Sequence, residues 1–255
     1  KGIIVVHMAG SICDMKKIQN FCKKKKIKII EDCAHALGTK SNNKFAGNFG
    51  KSGCFSFYPT KQITTGEGGM LTTNDYSFYK KIKKLKAFGI DKDIDKRKKQ
   101  GTYNVQLLGY NYRMTDFQAA MGYNQILNYK KNLQIRKKFA LLYFKILSNN
   151  SNIKLPTFDK ESSYFIFQIF IKKNIRDKIL KFFQNNEIGV SIHYAKPIPG
   201  MIYYKKKYKL NLNNFNNSKI YADTNISLPI SEHMSREQVQ YICKKLLLAI
   251  KIYDK

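Results

Sequence analysis

The sequence predicts an α/β fold followed by a smaller α+β domain. Over residues 1–90, short apolar runs alternate with helical spans, a pattern typical of α/β layering. Residues 115–148 carry apolar side chains at helical spacing. A polar stretch that ends in proline, residues 149–156, then separates a second set of strands and helices. The chain is therefore expected to contain two domains.

The first domain, residues 1–148, is expected to end with the long helix that connects it to the second. Its predicted elements are a strand at 3–7, a helix at 14–26, strands at 27–31, 54–58 and 69–73, a helix at 76–88 and one long or kinked helix at 115–148. Lysine-rich residues 91–100 interrupt this pattern, which indicates a loop.

The second domain, residues 149–255, is predicted to be small and of the α+β class. Its predicted elements are a strand at 164–171, a helix at 175–186, a short strand at 190–194 and a closing helix at 235–253. Ser235 and Gln238 have the spacing of a capping box at the start of that last helix. The asparagine-rich residues 211–217 are predicted to form a loop.

The composition limits the class of protein. Hydrophobic residues make up 43% of the 255 residues, which excludes wholesale disorder. The formal net charge is +30, yet only five of the 47 basic residues are arginines. Because proteins that read phosphates and bases rely on arginine, we attribute the lysine excess mainly to A/T-rich codons and expect no nucleic-acid partner. A basic nucleic-acid-binding module is the alternative, and it would need exposed aromatic side chains.

The cysteines and the hydropathy pattern predict a cytoplasmic protein. The five cysteines are odd in number and form no Cys-x-x-Cys pair, so we expect neither a disulfide framework nor a metal site. No apolar run approaches the roughly 20 residues of a membrane span. No secretory signal opens the chain, and no membrane partner is expected.

Two segments of the first domain carry residues suited to ligand chemistry. Asp32 follows a predicted strand, and the carboxyl ends of strands in an open α/β sheet form a ligand crevice. Ser56 and Lys61 lie on and after the next strand and lead into a glycine-rich turn that a ligand can approach closely. Taken singly, Asp32 could cap a turn and Lys61 could be a surface lysine, so the residues alone leave both interpretations open.

Four motifs occur in order along the chain. They are Glu-Asp-Cys-Ala-His-Ala-Leu-Gly at 31–38, Phe-Ser-Phe-Tyr-Pro-Thr-Lys at 55–61, Thr-Gly-Glu-Gly-Gly-Met at 65–70 and Leu-Gly-Tyr-Asn-Tyr-Arg-Met-Thr-Asp at 108–116. Together they resemble the DegT/DnrJ/EryC1/StrS family of pyridoxal-phosphate-dependent nucleotide-sugar aminotransferases. The resemblance covers essentially the whole chain, and it is closest to the members that act on UDP-4-keto-6-deoxy-N-acetylhexosamines.

The resemblance implies a fold-type-I, aspartate aminotransferase-like transferase with a mostly parallel sheet of the seven-stranded type, incomplete here. It implies that Lys61 bonds covalently to pyridoxal 5'-phosphate (PLP) and then acts as a base, with pyridoxamine phosphate as the intermediate form of the cofactor. It also implies a homodimer. The remaining implied cofactor contacts are Asp32 at the pyridine nitrogen, Ala34 at the ring face, His35 beside the ring oxygen, Ser56 at the phosphate and Asn111 reaching the phosphate in the partner's site. A structural role is the alternative for His35.

The implied reaction moves an amino group from glutamate to a nucleotide-linked 4-keto-6-deoxy sugar, with 2-oxoglutarate released, for surface glycan or polysaccharide biosynthesis. His193 and Tyr194 are placed on the substrate side by the same resemblance. Related dehydratases carry histidine in place of the lysine, so Lys61 disfavours that alternative. Family members carry roughly a third of their chain ahead of the first strand here, including a phosphate-cradling turn. We therefore expect this chain to be part of a longer one, and an inactive fragment is a further alternative.

Overall fold

The computed structural model describes residues 1–91 and 99–254, so most of the predicted loop at 91–100 lies outside the described residues. The chain divides into two compact units, Lys1–Lys130 and Lys131–Lys255. This boundary lies inside the long helix, whereas the sequence places it after residue 148. The helix divides because Ala140, Tyr143 and Leu147, in its C-terminal half, belong to the core of the second unit.

A mixed sheet forms the centre of the first unit. In chain order, the described strands of this unit are β1 (Gly2–Val6), β2 (Lys28–Asp32), β3 (Lys40–Ser41) and β4 (Lys44–Phe45), which form a separate short hairpin, β5 (Ser52–Ser56) and β6 (Gly69–Thr72). The main sheet has the order β1-β2-β5-β6, with β1, β2 and β5 parallel and β6 antiparallel to β5. Val6 pairs with Asp32, and Asp32 pairs with Cys54. The carboxyl ends of the three parallel strands therefore meet at one edge.

The α-helices described in the first unit are α1 (Met15–Lys24), α2 (Tyr76–Leu85) and the N-terminal half of α3 (Asp116–Leu147). Aspartates begin the first two, since Asp14 accepts the N–H of Lys17 at 3.1 Å and Asp75 accepts that of Phe78 at 3.0 Å. Helix α2 ends earlier than the predicted residue 88 because Phe88 adopts the left-handed conformation, with φ of 61°.

The second unit packs helices against a two-stranded antiparallel pair. Its described elements are β7 (Phe167–Phe170), α4 (Lys173–Asn185), α5 (Ile202–Tyr208), α6 (Asn216–Thr224), β8 (Asn225–Leu228) and α7 (Arg236–Tyr253). Phe167, Ile179 and Leu246 are fully buried in one core with the C-terminal half of α3. The capping box of Ser235 and Gln238 is confirmed at the start of α7. These elements give the α+β class that the sequence predicts.

Two local predictions in the second unit need correction. Of the predicted strand at 190–194, Ser191 pairs with Ser227 of β8 in an isolated antiparallel bridge. The pairing does not extend to His193, because side chains bond its backbone groups: Asn225 Oδ1 accepts its N–H at 3.0 Å and Gln168 Nε2 donates to its carbonyl at 2.7 Å. The predicted loop at 211–217 contains a short 3₁₀ turn, Leu212–Phe215, and the first residues of α6.

No helix among residues 1–91 and 99–254 is both long and apolar enough to span a bilayer.

Candidate active site

Asp32 and Ser56 lie at the carboxyl edge of the parallel strands, as the last residues of β2 and β5. The N–H of His7 donates to the Asp32 carbonyl at 3.1 Å, and the N–H of Cys33 donates to Cys54 at 2.8 Å. The carbonyl and the N–H of the Asp32–Cys33 peptide group are thus both hydrogen-bonded, one to the residue after β1 and the other to β5. The Asp32 side chain accepts the N–H of Ala34 at 3.0 Å, and this bond turns the chain away from the sheet.

Lys61 follows β5 in a tight turn, in which its own N–H donates to the Tyr58 carbonyl at 2.9 Å. Burial lowers the pKa of the Lys61 amine, while the nearby carboxylate of Asp32 acts in the opposite direction. The two side chains that the sequence assigns to one ligand are therefore close enough to interact electrostatically. A desolvated lysine loses its proton more readily, and the neutral amine is the form that attacks a carbonyl carbon.

The remaining predicted residues of this region differ in accessibility. Ala34 and Ser56 are partly exposed, and the Ser56 Oγ accepts the N–H of Tyr58 at 3.3 Å. His35 is buried. Ala34 and Ser56 are thus accessible to a ligand, whereas the burial of His35 also suits the structural role that the sequence left open.

Asn111 lies on an exposed loop that packs tightly against the end of α2. Its Oδ1 accepts the Nε–H of Arg113 at 3.1 Å, and the Arg113 guanidinium lies 5.2 Å from the centre of the Phe88 ring. A Cβ at Gly109 would lie 2.2 Å from the nitrogen of Gly89, so only glycine permits this approach. The loop therefore presents Asn111 in an ordered, exposed conformation.

A buried acid next to Asp32 was missed by the sequence analysis. Glu31 accepts the backbone N–H groups of Gly47, Phe49 and Gly50 at 2.8, 2.6 and 2.6 Å, and it lies 3.0 Å from His7 Nε2. Burial alone would raise the pKa of Glu31, but these hydrogen bonds outweigh it and hold the pKa below its ordinary value. The carboxylate thus ties β1, β2 and the turn before β5 together beneath the site.

Cys33 completes a buried group in which the donor atoms of His7, Glu31 and Cys33 lie within 4.8 Å of one another. The spacing resembles a metal site. However, the Glu31 carboxylate already accepts four donors, and burial raises the pKa of the Cys33 thiol. The group therefore acts as a structural support. The sequence contains a signal for this buried group, because Ile29 and Glu31 occupy the same, buried face of β2 and Glu31 thus places a charge at a core position.

His193 and Tyr194 belong to the second unit. The Nδ1 atom of His193 lies 2.9 Å from the Ser227 hydroxyl and 3.3 Å from that of Ser191. Tyr194 is exposed, and within this unit it lines a cavity of about 700 Å³ together with Met201 and Tyr221. The other predicted site residues are in the first unit.

The chemical groups at the sheet edge fit PLP. Lys61 offers an amine with a lowered pKa for the aldehyde, and Asp32 offers a carboxylate for the pyridine nitrogen. Ser56 offers a partly exposed hydroxyl for the phosphate. All three residues lie at or after the carboxyl ends of β2 and β5, two adjacent parallel strands, which is where ligands bind in open α/β folds.

Comparisons with known proteins agree with this geometry. The family model described as the DegT/DnrJ/EryC1/StrS aminotransferase family matches residues 1–247. A UDP-4-amino-4,6-dideoxy-N-acetyl-beta-L-altrosamine transaminase of Campylobacter jejuni is 32% identical over 94% of this chain and 63% of its own length. A GDP-perosamine synthase of Escherichia coli O157:H7 is 30% identical over 96% of this chain and 65% of its own length.

Solved structures are similar over nearly the whole chain. Helicobacter pylori PseC, an aminotransferase involved in the biosynthesis of pseudoaminic acid, superposes with a TM-score of 0.91 at 29% identity, covering 99% of this chain and 67% of its own. Streptococcus pneumoniae Spr1654 in its PMP form gives a TM-score of 0.91 at 26% identity, covering 99% of this chain and 70% of its own, and it is also known in a PLP form. The chain spans just under two thirds of the length of the two curated relatives above.

Proposed function

We propose that this chain, which belongs to the DegT/DnrJ/EryC1/StrS aminotransferase family and has its fold-type-I architecture, carries the catalytic residues of a PLP-dependent sugar aminotransferase. The enzyme would move an amino group from glutamate to the keto carbon of a nucleotide-linked 4-keto-6-deoxy sugar. The observation that carries the proposal is that Lys61 is partly buried and its amine interacts with the carboxylate of Asp32 at the sheet edge.

Lys61 has two tasks in this proposal. Its neutral amine would hold the cofactor by its aldehyde, and the Nζ, when free, would take the proton from the α-carbon of the donor. Burial favours both steps, because it lowers the pKa of the amine and leaves more of it neutral. PLP, when bound, supplies the electron-withdrawing ring that stabilises negative charge at that carbon.

Asp32 and Ser56 hold the cofactor in this proposal. The negative charge of Asp32 keeps a proton on the pyridine nitrogen, which strengthens electron withdrawal, and Ser56 donates its hydroxyl proton to the phosphate. Ala34 would contact the ring face, and His35 would lie beside the ring oxygen. In the second unit, His193 and Tyr194 contribute to binding of the nucleotide-sugar substrate.

The donor half of the reaction tests this proposal. With PLP and glutamate, the protein is expected to produce 2-oxoglutarate and to shift the visible absorbance of the bound cofactor to the shorter wavelength of pyridoxamine phosphate. Adding a UDP-linked 4-keto-6-deoxy sugar should restore the visible band and yield an amino sugar detectable by mass spectrometry. Aspartate at the same concentration controls for donor choice. A cofactor band that no amino acid alters would contradict aminotransferase function.

We also propose a homodimer in which Asn111 reaches the active site of the partner subunit. Apolar and aromatic side chains of the 108–112 loop and of the start of α3 are left largely exposed in the first unit: Leu108 is 80% exposed, Tyr112 72% and Phe117 76%. Exposed apolar patches of this kind mark interaction surfaces. A second copy of the chain is the occupant that the family relationship favours.

Mixing two inactive variants tests the dimer. In a dimer formed from one Lys61→Ala chain and one Asn111→Ala chain, one site carries both changes and the other carries neither. An equal mixture is therefore expected to recover about a quarter of the wild-type activity, since half of the randomly formed dimers then contain one intact site. Each variant alone should remain inactive. The arrangement would be contradicted if no activity returned after subunit exchange. It would also be contradicted if the protein were fully active and sedimentation showed it to be a monomer.

The compartment is a further part of the proposal. We infer a cytoplasmic enzyme, because the cysteines at positions 13, 22, 33, 54 and 243 are all free thiols. Free thiols persist in reducing compartments.

A further inference from the structure

We propose that Gln125 and Tyr129, on the N-terminal half of α3, are positioning residues. They hold the loop at residues 61–67, called the Lys61 loop below, against residues 33–38, the segment that follows Asp32. The proposal deepens the proposed function and rests on it, because it concerns how the amine and the acid are held in register.

Gln125 holds the Lys61 loop by bonding both backbone polar groups of one residue, Thr64. Its Oε1 accepts the N–H of Thr64 at 3.0 Å, and its Nε2 donates to the carbonyl of the same residue at 2.6 Å. Its Nε2 also donates to the Met121 carbonyl of its own helix at 3.0 Å, which orients the amide. Both backbone polar groups of Thr64 are therefore fixed by one side chain, as they would be by a neighbouring strand.

Tyr129 connects the Lys61 loop to the segment after Asp32. Its hydroxyl donates to the Leu37 carbonyl at 2.6 Å and lies 3.1 Å from the side-chain amide of Gln62, the residue next to Lys61. Leu37 belongs to the motif that carries Asp32, Ala34 and His35. Because Tyr129 is buried, both contacts are shielded from water, which makes them costly to lose.

Gln118 adds a third contact from the same helix face, since its Nε2 donates to the Glu67 carbonyl at 2.8 Å. Residues 118, 125 and 129 are about two and three helical turns apart, so their side chains share one face of α3. The loop is also fixed from within, because the N–H of Thr65 donates to Phe57 at 2.9 Å and Ile63 is buried. A rigid helix thus supports both ends of the segment after Lys61, and a displacement of about 1 Å at a reacting group is enough to slow catalysis about a hundredfold.

The test uses Gln125→Leu and Tyr129→Phe, with Asn128→Leu and Tyr123→Phe as matched controls. Asn128 bonds only a carbonyl of its own helix among the described residues, and Tyr123 is exposed. Gln125→Glu is a conservative variant that retains the acceptor for Thr64 N–H. Two quantities are measured: hydrogen exchange of the 61–67 segment without cofactor, and the rate at which PLP bonds to Lys61, trapped with borohydride and located by mass spectrometry.

In the two test variants we expect exchange at least about tenfold faster and trapping at least about tenfold slower, with unchanged values in the controls. Gln125→Glu should fall between Gln125→Leu and wild type. Unchanged hydrogen exchange in Gln125→Leu would show that Gln125 does not hold the Lys61 loop, and would overturn the proposal. Faster exchange with unchanged trapping would show that the contacts do not position the amine, and would also overturn the proposal. Failure of wild-type Lys61 to be trapped at all would instead refute the proposed function itself.

Discussion

Lys61→Ala is expected to remove the visible absorbance of the cofactor-bound protein and to abolish turnover. The variant lacks both the amine that bonds to the aldehyde and the base that takes the α-proton, and loss of a general base alone costs about a hundredfold or more in rate. Folding should be unaffected, because the backbone N–H of residue 61, which bonds Tyr58, is retained.

The measurement is an absorbance spectrum with PLP, followed by borohydride reduction and mass spectrometry. Lys16→Ala is the control, since Lys16 is an exposed lysine of α1 outside the four motifs. Its spectrum and activity should match those of the wild type. A visible band in Lys61→Ala, with PLP trapped on another lysine, would show that a different amine carries the chemistry.

Much of the first unit was predictable because its strands and helices are specified by residues that are close together in the sequence. The strands at 3–7, 27–31 and 54–58 and the helices at 14–26 and 76–88 are encoded by apolar periodicity and, for the helices, by aspartate caps, and each is found within a few residues of its predicted position. The antiparallel direction of β6 was not predictable from its own residues, because strand direction is set by the connection and not by composition.

The second unit shows where local signals fail. Helix α6 begins with Asn216 and Asn217, and asparagine is a poor helix former that favours turns. Its stability comes from packing, as the buried Ala222 shows. In the 190–194 segment, Gln168 and Asn225 take over the hydrogen bonds of a strand through their side chains. Such contacts join residues more than 20 positions apart and leave no local pattern.

The candidate site divides in the same way. Asp32, Ser56 and Lys61 were predicted from their positions at or after the ends of strands and from the family resemblance of the motifs around them, and their roles stay predictions. Glu31 and Gln125 were missed because their partners are backbone groups of other segments, 16 and 61 residues away in the case of Gly47 and Thr64. Glu31 is a charged residue on the buried face of β2, which is the sequence signal that could have singled it out. Gln125 is only partly buried and carries no such signal.

Asp32→Asn is expected to leave the fold and the Lys61–cofactor bond intact while turnover with glutamate falls by about a hundredfold to a thousandfold, the usual cost of losing one preorganised electrostatic partner. Asparagine is isosteric, and its Oδ1 still accepts the N–H of Ala34. The substitution therefore removes the charge and little else. Without that charge the pyridine nitrogen loses its proton more readily, and electron withdrawal through the ring weakens.

The same substitution changes Lys61 in a direction that can be measured. The Asp32 carboxylate raises the pKa of the amine against the effect of burial, so its removal should lower that pKa further. Trapping of PLP on Lys61 should then begin at a lower pH than in the wild type. Asp14→Asn is the control, because Asp14 also accepts a backbone N–H, from Lys17, but caps α1. If Asp32→Asn keeps wild-type turnover and the wild-type pH profile of trapping, the two side chains do not act on one cofactor, and the proposed site is wrong.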